Sequence, residues 1–343
     1  MNTRKSFWCI LIVMLMASFS IASVAQTVNN SLNSALTIPH SAWELHQSDP
    51  DLARRGTAVA FDHSRQVVVM FGGEHNGPIY NETWEFDGTD WQQITTNHAP
   101  PARFWHGLAY DSERQVVVLF GGYDDQNPFN DTWEYDGQEW QQVTTAQAPS
   151  ARYGFGMTYD SCRQKTILFS GSETAGTWEY DGQNWQEIDT AVSPDIRNLT
   201  AMVFDSIRCR AVLFGGGQWG LGLDDTWEYD GSNWVHIETA NGPLARWAHA
   251  LAYDPIRQKT VLFGGYGPEY PIGTPLDDTW EYDGTDWLET SPTGSPSARE
   301  QHVMVYDGNT EKILLFGGFG NGETWLYGRA SDRYFVFLPT VFR

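Results

Sequence analysis

The chain has 343 residues and a formal net charge of −22, and 14% of its residues are aromatic. Such an acidic composition disfavours nucleic acid and anionic lipid as partners, since both are bound by clustered lysine and arginine. No long polar or low-complexity tract indicates disorder, and the aromatic residues supply enough apolar area for a folded core.

The first 25 residues are typical of a secretory signal. Arg4 and Lys5 precede an apolar run over 7–16, and small residues at 23–25 offer a cleavage site. The run is short for a membrane span, although an uncleaved N-terminal anchor is the alternative. We therefore predict a secreted protein (extracellular, periplasmic or at the cell surface) with a linker over 26–42 and no membrane span.

One sequence unit then recurs six times. Its markers are Phe-Gly-Gly, then Thr-Trp, then in five units Asp-Gly and a second Trp, with Phe169-Ser170-Gly171 as a degenerate copy of the first marker. An Asp precedes each Phe by nine residues, and an Arg precedes that Asp by eight. Only the interval from Phe to the first Trp varies, at 13, 13, 9, 13, 17 and 9 residues. Such a fixed period indicates a repeat architecture.

Each unit predicts four short strands, named A to D here. In the second unit they are 107–110, the wholly apolar run 116–120, 132–135 and the segment that starts at Trp140. The Asp-Gly between strands C and D is a tight-hairpin signal, because glycine accepts the positive φ of such turns. Six four-stranded units predict an all-β fold, a six-bladed β-propeller over residues 43–327.

These units resemble the repeats of the kelch and galactose-oxidase superfamily of propellers. The shared features are the glycine doublet after an apolar strand, an aromatic residue in strand C and a Trp that opens strand D. The turn between strands C and D, as in residues 135–140, is shorter than that family usually has, which is typical of a bacterial-style subgroup. The resemblance implies the propeller fold, on which both binding proteins and enzymes occur.

The sixth unit lacks its own strand D. Residues 43–47, which begin with Trp43, resemble a strand D with nothing before it, so we predict that they complete blade six and close the ring. Closure removes unpaired strand edges. The rival donor is the apolar segment 334–338 in the C-terminal tail, residues 328–343.

The unequal intervals all fall between strands B and C. In a four-stranded meander the B–C and D–A loops share one face, so this face is the candidate binding surface. Its aromatic residues suit stacking on sugar rings or capture of a peptide, although they could instead pack over the ring. The residues proposed for ligand binding are Trp105, Tyr123, Phe129, Trp219, Trp247, Tyr266 and Tyr270.

Two further sets are expected at the channel mouth on that face. The arginines could form an anion-binding ring, as in kelch proteins that bind acidic peptides, but a residue repeated in every unit more often pairs within its own blade. The histidines suit packing or hydrogen bonding better than a metal, since their blades are not all adjacent. The sets are Arg54, Arg103, Arg152, Arg197, Arg246 and Arg299, and His106, His249 and His302.

Cys162 and Cys209 both fall in A–B turns of consecutive units, on the opposite face. A disulfide between them is possible in an exported protein. Neither has a nearby histidine that could activate it as a nucleophile. Their position also argues against a copper oxidase of the galactose-oxidase kind, which the resemblance implies would need a Cys linked to a Tyr.

The sequence favours a binding scaffold for a glycan, protein or peptide. No catalytic constellation stands out, and we predict no catalytic residue, metal or cofactor, and a monomeric chain. The alternative is a sugar-processing enzyme of the sialate mutarotase type that uses channel-mouth residues such as Arg246 and His249. A cell-surface structural protein is a third reading.

Overall fold

The computed structural model describes residues 41–172, 174–268 and 273–329. The predicted signal, most of the linker and the tail beyond residue 329 lie outside this part of the chain. The residues described form twenty-four strands, and a 3-10 turn (Pro50–Leu52) follows the first of them. No helix in the described residues is long and apolar enough to cross a membrane.

The strands of blades one to three follow the predicted A to D order. They are β2 (Ala58–Asp62), β3 (Val67–Phe71), β4 (Thr83–Phe86) and β5 (Trp91–Ile94) in blade one, β6 (Gly107–Asp111), β7 (Val116–Phe120), β8 (Thr132–Tyr135) and β9 (Trp140–Val143) in blade two, and β10 (Gly156–Asp160), β11 (Lys165–Phe169), β12 (Thr177–Tyr180) and β13 (Trp185–Ile188) in blade three.

Blades four to six follow the same order, except that the first strand of the chain belongs to the last blade. The strands are β14 (Ala201–Asp205), β15 (Arg210–Gln218), β16 (Leu221–Tyr229) and β17 (Trp234–Ile237) in blade four, β18 (Ala250–Asp254), β19 (Lys259–Phe263), β20 (Thr279–Tyr282) and β21 (Trp287–Thr290) in blade five, and β22 (His302–Asp307), β23 (Lys312–Gly317), β24 (Glu323–Gly328) and β1 (Ala42–Ser48) in blade six.

The strands assemble into six antiparallel sheets of four. Five sheets contain consecutive strands, and the sixth has the order β1-β24-β23-β22, with Trp43 opposite Tyr327. The six-bladed prediction and closure by the N-terminal strand are therefore confirmed. Pairing within blade six shifts by one residue between Leu45 and Gln47, so His46 forms a bulge in β1.

Strand B is buried on both faces in every blade. In blade two, residues 117–120 are fully inaccessible to solvent, because β7 lies between β6 and β8 within its sheet and between the neighbouring blades. Apolar clusters occupy the spaces between blades, and each contains residues from more than one sheet. The continuous apolar run of strand B follows from this position, since neither face meets water.

The Trp that opens strand D joins each blade to the blade before it through a hydrogen bond and a ring contact. In blade two, the indole Nε1–H of Trp140 donates to Thr83 Oγ1 at 2.9 Å, and the ring packs on Phe71 at 5.2 Å. The same contacts recur at all six junctions, with donor, Thr and Phe as follows: Trp91, Thr324 and Phe316; Trp185, Thr132 and Phe120; Trp234, Thr177 and Phe169; Trp287, Thr226 and Phe214; Trp43, Thr279 and Phe263.

A second network joins blades at the A–B turns. Arg65 donates to Asp62 of its own turn at 2.7 Å and to Glu85 of strand C at 2.5 Å. Tyr135 of the next blade donates to Glu85, and its ring lies 5.3 Å from the guanidinium carbon. Four more junctions repeat the set, with Asp, Arg, Glu and Tyr as follows: Asp111, Arg114, Glu134 and Tyr180; Asp160, Arg163, Glu179 and Tyr229; Asp205, Arg208, Glu228 and Tyr282; Asp254, Arg257, Glu281 and Tyr327.

The junction between blades six and one lacks this network. Thr310, Leu326 and Phe86 stand at the positions of Arg, Glu and Tyr, and the last two pack in one apolar cluster with Phe61. The closing junction of the ring therefore combines apolar packing, the Trp91 bond to Thr324 and the Asn309 side chain, which donates to the carbonyls of Gln66 and Asp87.

Cys162 and Cys209 form a disulfide between the A–B turns of blades three and four. The bond lies on the face opposite the variable loops, as the sequence placed the two residues, and it adds a covalent link between adjacent blades.

We expect Thr83→Val to destabilise the ring by about 1–3 kcal/mol, because it leaves the buried Trp140 N–H without an acceptor. The measurement is the free energy of unfolding from denaturant titration. Thr166→Val is the matched control, since the buried Thr166 hydroxyl has no partner among the described residues and its loss should be neutral or stabilising. Equal losses in the two variants would contradict the prediction.

Removal of the disulfide in a Cys162→Ser/Cys209→Ser variant should also lower stability. The bond closes a loop between residues 47 apart, and loop-closure entropy for that length corresponds to about 4 kcal/mol. Denaturant titration of the variant, and of the reduced wild type, measures the effect. An unchanged unfolding midpoint in both would show that the bond does not constrain the unfolded chain.

Candidate binding face

The B–C and D–A loops meet on one side of the ring, here called the loop face. Short antiparallel bridges pair residues of the two loop types, among them Arg55 with Glu74, Phe104 with Tyr123, and Trp247 with Tyr266. The arginine that starts each unit anchors this contact, because it reaches the B–C segment of its own blade. The variable loops are thus held against the rigid ring.

Four aromatic rings form a cluster on the loop face above blades two and three. Trp105 stacks on Tyr153 with centroids 5.5 Å apart, Tyr123 lies 4.9 Å from Tyr153, and Phe104 contacts both Trp105 and Tyr123. Trp105, Tyr123 and Tyr153 are half-buried, so each presents part of its ring to solvent. The predicted residues Trp105 and Tyr123 therefore share one patch.

Trp105 belongs to a circle of backbone hydrogen bonds around the propeller axis. The residue two positions after each repeat arginine adopts a left-handed φ, between 48° and 66°. Its N–H donates to the carbonyl of the equivalent residue in the preceding blade at five junctions, over 2.7–3.0 Å. The six residues are Gly56, Trp105, Gly154, Leu199, Ala248 and Gln301.

The side chain of Trp105 extends across this circle. Its indole N–H donates to Gln301 Oε1 at 3.1 Å, although the two residues belong to blades two and six. Gly56 lies between them, and a Cβ there would stand 2.9 Å from Trp105 Cδ1, so glycine is required beneath the indole. Trp105 therefore covers part of the axis on the loop face.

Trp219 stands apart from this cluster. Strands β15 and β16 run beyond the ring as a hairpin whose tip, Trp219-Gly220, has φ values of 53° and 81°. Both positive values fit a tight two-residue hairpin turn. The sequence predicted a loop here, but the pairing resumes at Gly216 after an irregularity. Trp219 is 81% exposed at the tip.

The remaining predicted aromatics take three positions. Trp247 and Tyr266 pair in blade five, 5.1 Å apart. Phe129 lies over the buried Arg103 guanidinium at 4.1 Å, so it covers an ion pair and contributes less open surface. Tyr270 lies outside the described residues. The loop face thus carries two separate aromatic groups and the projecting Trp219.

All six repeat arginines are buried, at 0–2% exposure. Each donates to backbone carbonyls of its own blade, and five also pair with the acid that directly precedes Thr-Trp. Arg103, for example, holds Asp131 through two bonds of 2.6 and 2.8 Å. Their contacts match the blade-internal alternative. An acid before Thr-Trp in five units was the sequence signal for these partners.

The three histidines are also buried, between blades. Each ring meets the edge of the Phe that ends strand B in the preceding blade, as His106 meets Phe71 at 5.6 Å. Burial, reinforced by the positive charge of the repeat arginine, lowers the pKa of each of the three to about 3. The histidines are therefore neutral at pH 7. No group of three or more His, Cys, Asp or Glu among the described residues is placed to hold a metal ion.

A cavity of about 410 Å³ follows the propeller axis. Strand A of every blade lines it, together with A–B turn residues such as His63 and Ser112, and the three histidines border its other end. None of the six repeat arginines lines it. The cavity thus extends toward the A–B turns, and the aromatic groups of the loop face belong to a different surface.

The buried histidines should make stability depend on pH. Because they protonate near 6.5 in the unfolded chain and only near 3 in the folded one, stability should fall as pH drops from about 6.5 to 3, by up to about 1.4 kcal/mol per pH unit for each. His106→Phe, which copies Phe155 of blade three, removes one of the three titrating groups. It should reduce this slope by up to about 1.4 kcal/mol per pH unit. Denaturant titrations between pH 7 and 4 measure it.

His98→Phe is the control for that measurement, since His98 is 79% exposed. A slope that His98→Phe reduces as much as His106→Phe would contradict the assignment to the buried rings.

Comparison with known families agrees with this architecture. The family model described as the KLHDC2/KLHL20/DRC7 Kelch-repeats domain matches residues 56–241, more than half of the chain. The matched stretch contains the strands from β2 to β17, which form blades one to four. No curated protein matches the chain.

Proposed function

The chain belongs to the kelch-repeat family of β-propellers, and on that premise we propose that it binds a protein or peptide ligand through the loop face. Kelch propellers are typically protein-binding scaffolds. The observation that carries the choice of face is the projecting hairpin with its exposed Trp219, beside aromatic groups held on a rigid ring.

Exposed apolar side chains favour a protein partner over a glycan. Besides Trp219, four large apolar residues of the B–C and D–A loops are more than half exposed, namely Val192, Leu221, Leu244 and Phe319. The three aliphatic side chains among them gain free energy when a protein covers them, whereas sugars mainly stack on aromatic rings. Glycan binding is the second candidate, since Trp105, Tyr123 and Tyr153 offer ring faces.

The mutarotase alternative is not favoured. It assigned catalysis to Arg246 and His249, but Arg246 is fully buried and holds Asp278 through two bonds. His249 is buried against Phe214 and is neutral at pH 7. Neither group is available to a sugar on the loop face.

The location of the protein is part of the proposal. The basic start and apolar run of residues 1–25 support export, and the disulfide between Cys162 and Cys209 is of the kind that persists in oxidising compartments. A partner in the extracellular or periplasmic space is therefore proposed, with the chain acting as a monomer.

Trp219→Ala should weaken ligand binding at least tenfold, because a buried Trp commonly contributes more than 1 kcal/mol at an interface. The measurement is affinity for peptides selected from a displayed library against the wild-type ring. Val235→Ala is the matched control, since Val235 is exposed on β17 at the outer edge of the same blade. It should leave affinity unchanged.

Selected ligands that bind Trp219→Ala as tightly as the wild type would contradict the proposed face. A glycan array run with the same proteins tests the second candidate. Saturable glycan binding that is lost on Trp105→Ala, with no peptide selected, would show that the ligand is a glycan.

A further inference from the structure

Five blades contain the same half-buried carboxylate, bound to a buried arginine. The acid directly before Thr-Trp accepts N–H bonds from the repeat arginine and from the strand C indole, as Asp131 does from Arg103 and from Trp133 at 2.7 Å. The same three groups meet in the other four blades. The five acids are Glu82, Asp131, Asp225, Asp278 and Glu323, and each accepts from its own Trp.

Blade three has both donors but no acid, because Gly176 stands at that position. Arg152 is buried and donates only to Ser150 O, Ser150 Oγ and Ser170 O among the described residues. The Trp178 indole N–H is buried and has no partner there. A buried donor without an acceptor is costly, so this arrangement requires an explanation.

The short loop of blade three does not explain the missing acid. Blade six has the same interval of nine residues from Phe to Trp, and Ser297 bonds Arg299 as Ser150 bonds Arg152. Yet blade six retains Glu323, which accepts from Arg299 at 2.6 Å. Blade six is therefore the filled counterpart of the site in blade three.

The position left by the absent side chain adjoins both donors. A Cβ at Gly176 would lie 3.4 Å from Trp178 Nε1, so a carboxylate on it would stand beside the indole N–H. Burial lowers the pKa of Arg152 to about 10, and the charge of Glu187 opposes that effect. Gly176 has a φ of 112°, a conformation that other residues rarely adopt.

Glu187 is a nearby acid that could compete for the site. It lies opposite Trp178 on β13, and its Oε1 is 3.1 Å from the Cβ position at Gly176. It accepts no hydrogen bond from Arg152 or Trp178, and its side chain is exposed. Glu173, in the same loop, lies outside the described residues, so a test of the site must also remove its charge.

We propose that blade three receives a carboxylate from the ligand, which Arg152 and the Trp178 N–H hold as the other five blades hold their own acid. The partner's identity rests on the proposed function, but the site itself does not. Tyr153 follows Arg152 and belongs to the aromatic cluster with Trp105 and Tyr123. The partner is therefore a peptide segment whose carboxylate enters blade three while an adjacent apolar side chain meets that cluster.

Sodium acetate is the probe for the site, compared with sodium chloride at equal ionic strength. In ¹H–¹⁵N spectra of the full chain, the Trp178 indole signal, assigned with Trp178→Phe, should shift saturably with acetate. The Trp133 indole, whose site Asp131 fills, should not shift. A Glu173→Gln/Glu187→Gln variant should bind acetate at least threefold more tightly, because two competing carboxylates are gone.

Variants separate a binding role from a structural one. Trp178→Phe keeps an aromatic ring but removes the N–H. About five times more acetate should then be needed to produce the same rise in melting temperature. Trp133→Phe in the filled site of blade two should not change that dependence. Arg152→Gln, which removes the positive charge, should abolish the acetate response, and if it fails to fold the two Trp variants still decide the question. No acetate response in the wild type or the double Gln variant, or an equal response to chloride, would overturn the proposal.

Two small probes distinguish the sources of the carboxylate. N-acetylglycine presents a chain terminus, and N-acetylaspartic acid α-amide presents an acidic side chain. Tighter binding of either probe than of acetate supports the site, and the probe that binds more tightly shows whether the carboxylate comes from a chain terminus or from a side chain. An acetate response without any Trp219-dependent peptide would contradict the scaffold proposal alone, whereas Trp219-dependent peptides without an acetate response would contradict this site alone.

Discussion

The ring depends on one contact repeated six times: the strand D indole of each blade reaches the Thr and the Phe of the blade before it. At each junction the contact satisfies a buried N–H and buries a large ring at once, as Trp140 does against Thr83 and Phe71. The two ends of the propeller are joined by the pairing of β1 with β24, and Trp43 of β1 makes the same contact with Thr279 of blade five. The Trp–Thr bond is therefore a contact that the closing blade shares with every other blade.

The secondary network of Asp, Arg, Glu and Tyr shows how unequal the junctions otherwise are. It is complete at five of them and replaced by apolar packing where blade six meets blade one, at Leu326 and Phe86. The disulfide reinforces another junction, between blades three and four. These reinforcements lie toward the A–B turns, so the loop face can vary in length and composition while the ring keeps its junctions.

At the loop face, some of the predicted site residues are buried and others are exposed to solvent. The repeat arginines and the histidines are occupied by contacts within and between blades, while Trp219, Trp105 and Tyr153 reach solvent. Blade three departs from this rule, because its arginine and indole keep their burial but lack the acid that the other blades supply. A ligand site in a repeat protein needs such a departure, because in six identical blades every buried donor would already have its acceptor.

Periodicity in the sequence was enough to predict six blades, four strands in each and closure by the segment that begins at Trp43. Those features follow from local pattern, because the spacing of Phe, Thr-Trp and Asp-Gly reports strand length and turn type directly. The burial of Arg54 or Arg246, the hairpin under Trp219 and the lack of an acceptor for the Trp178 N–H among the described residues were decided only by the tertiary structure. Each depends on which groups from separate strands meet in space, and a repeated arginine has the same sequence pattern whether a ligand or its own blade accepts its hydrogen bonds.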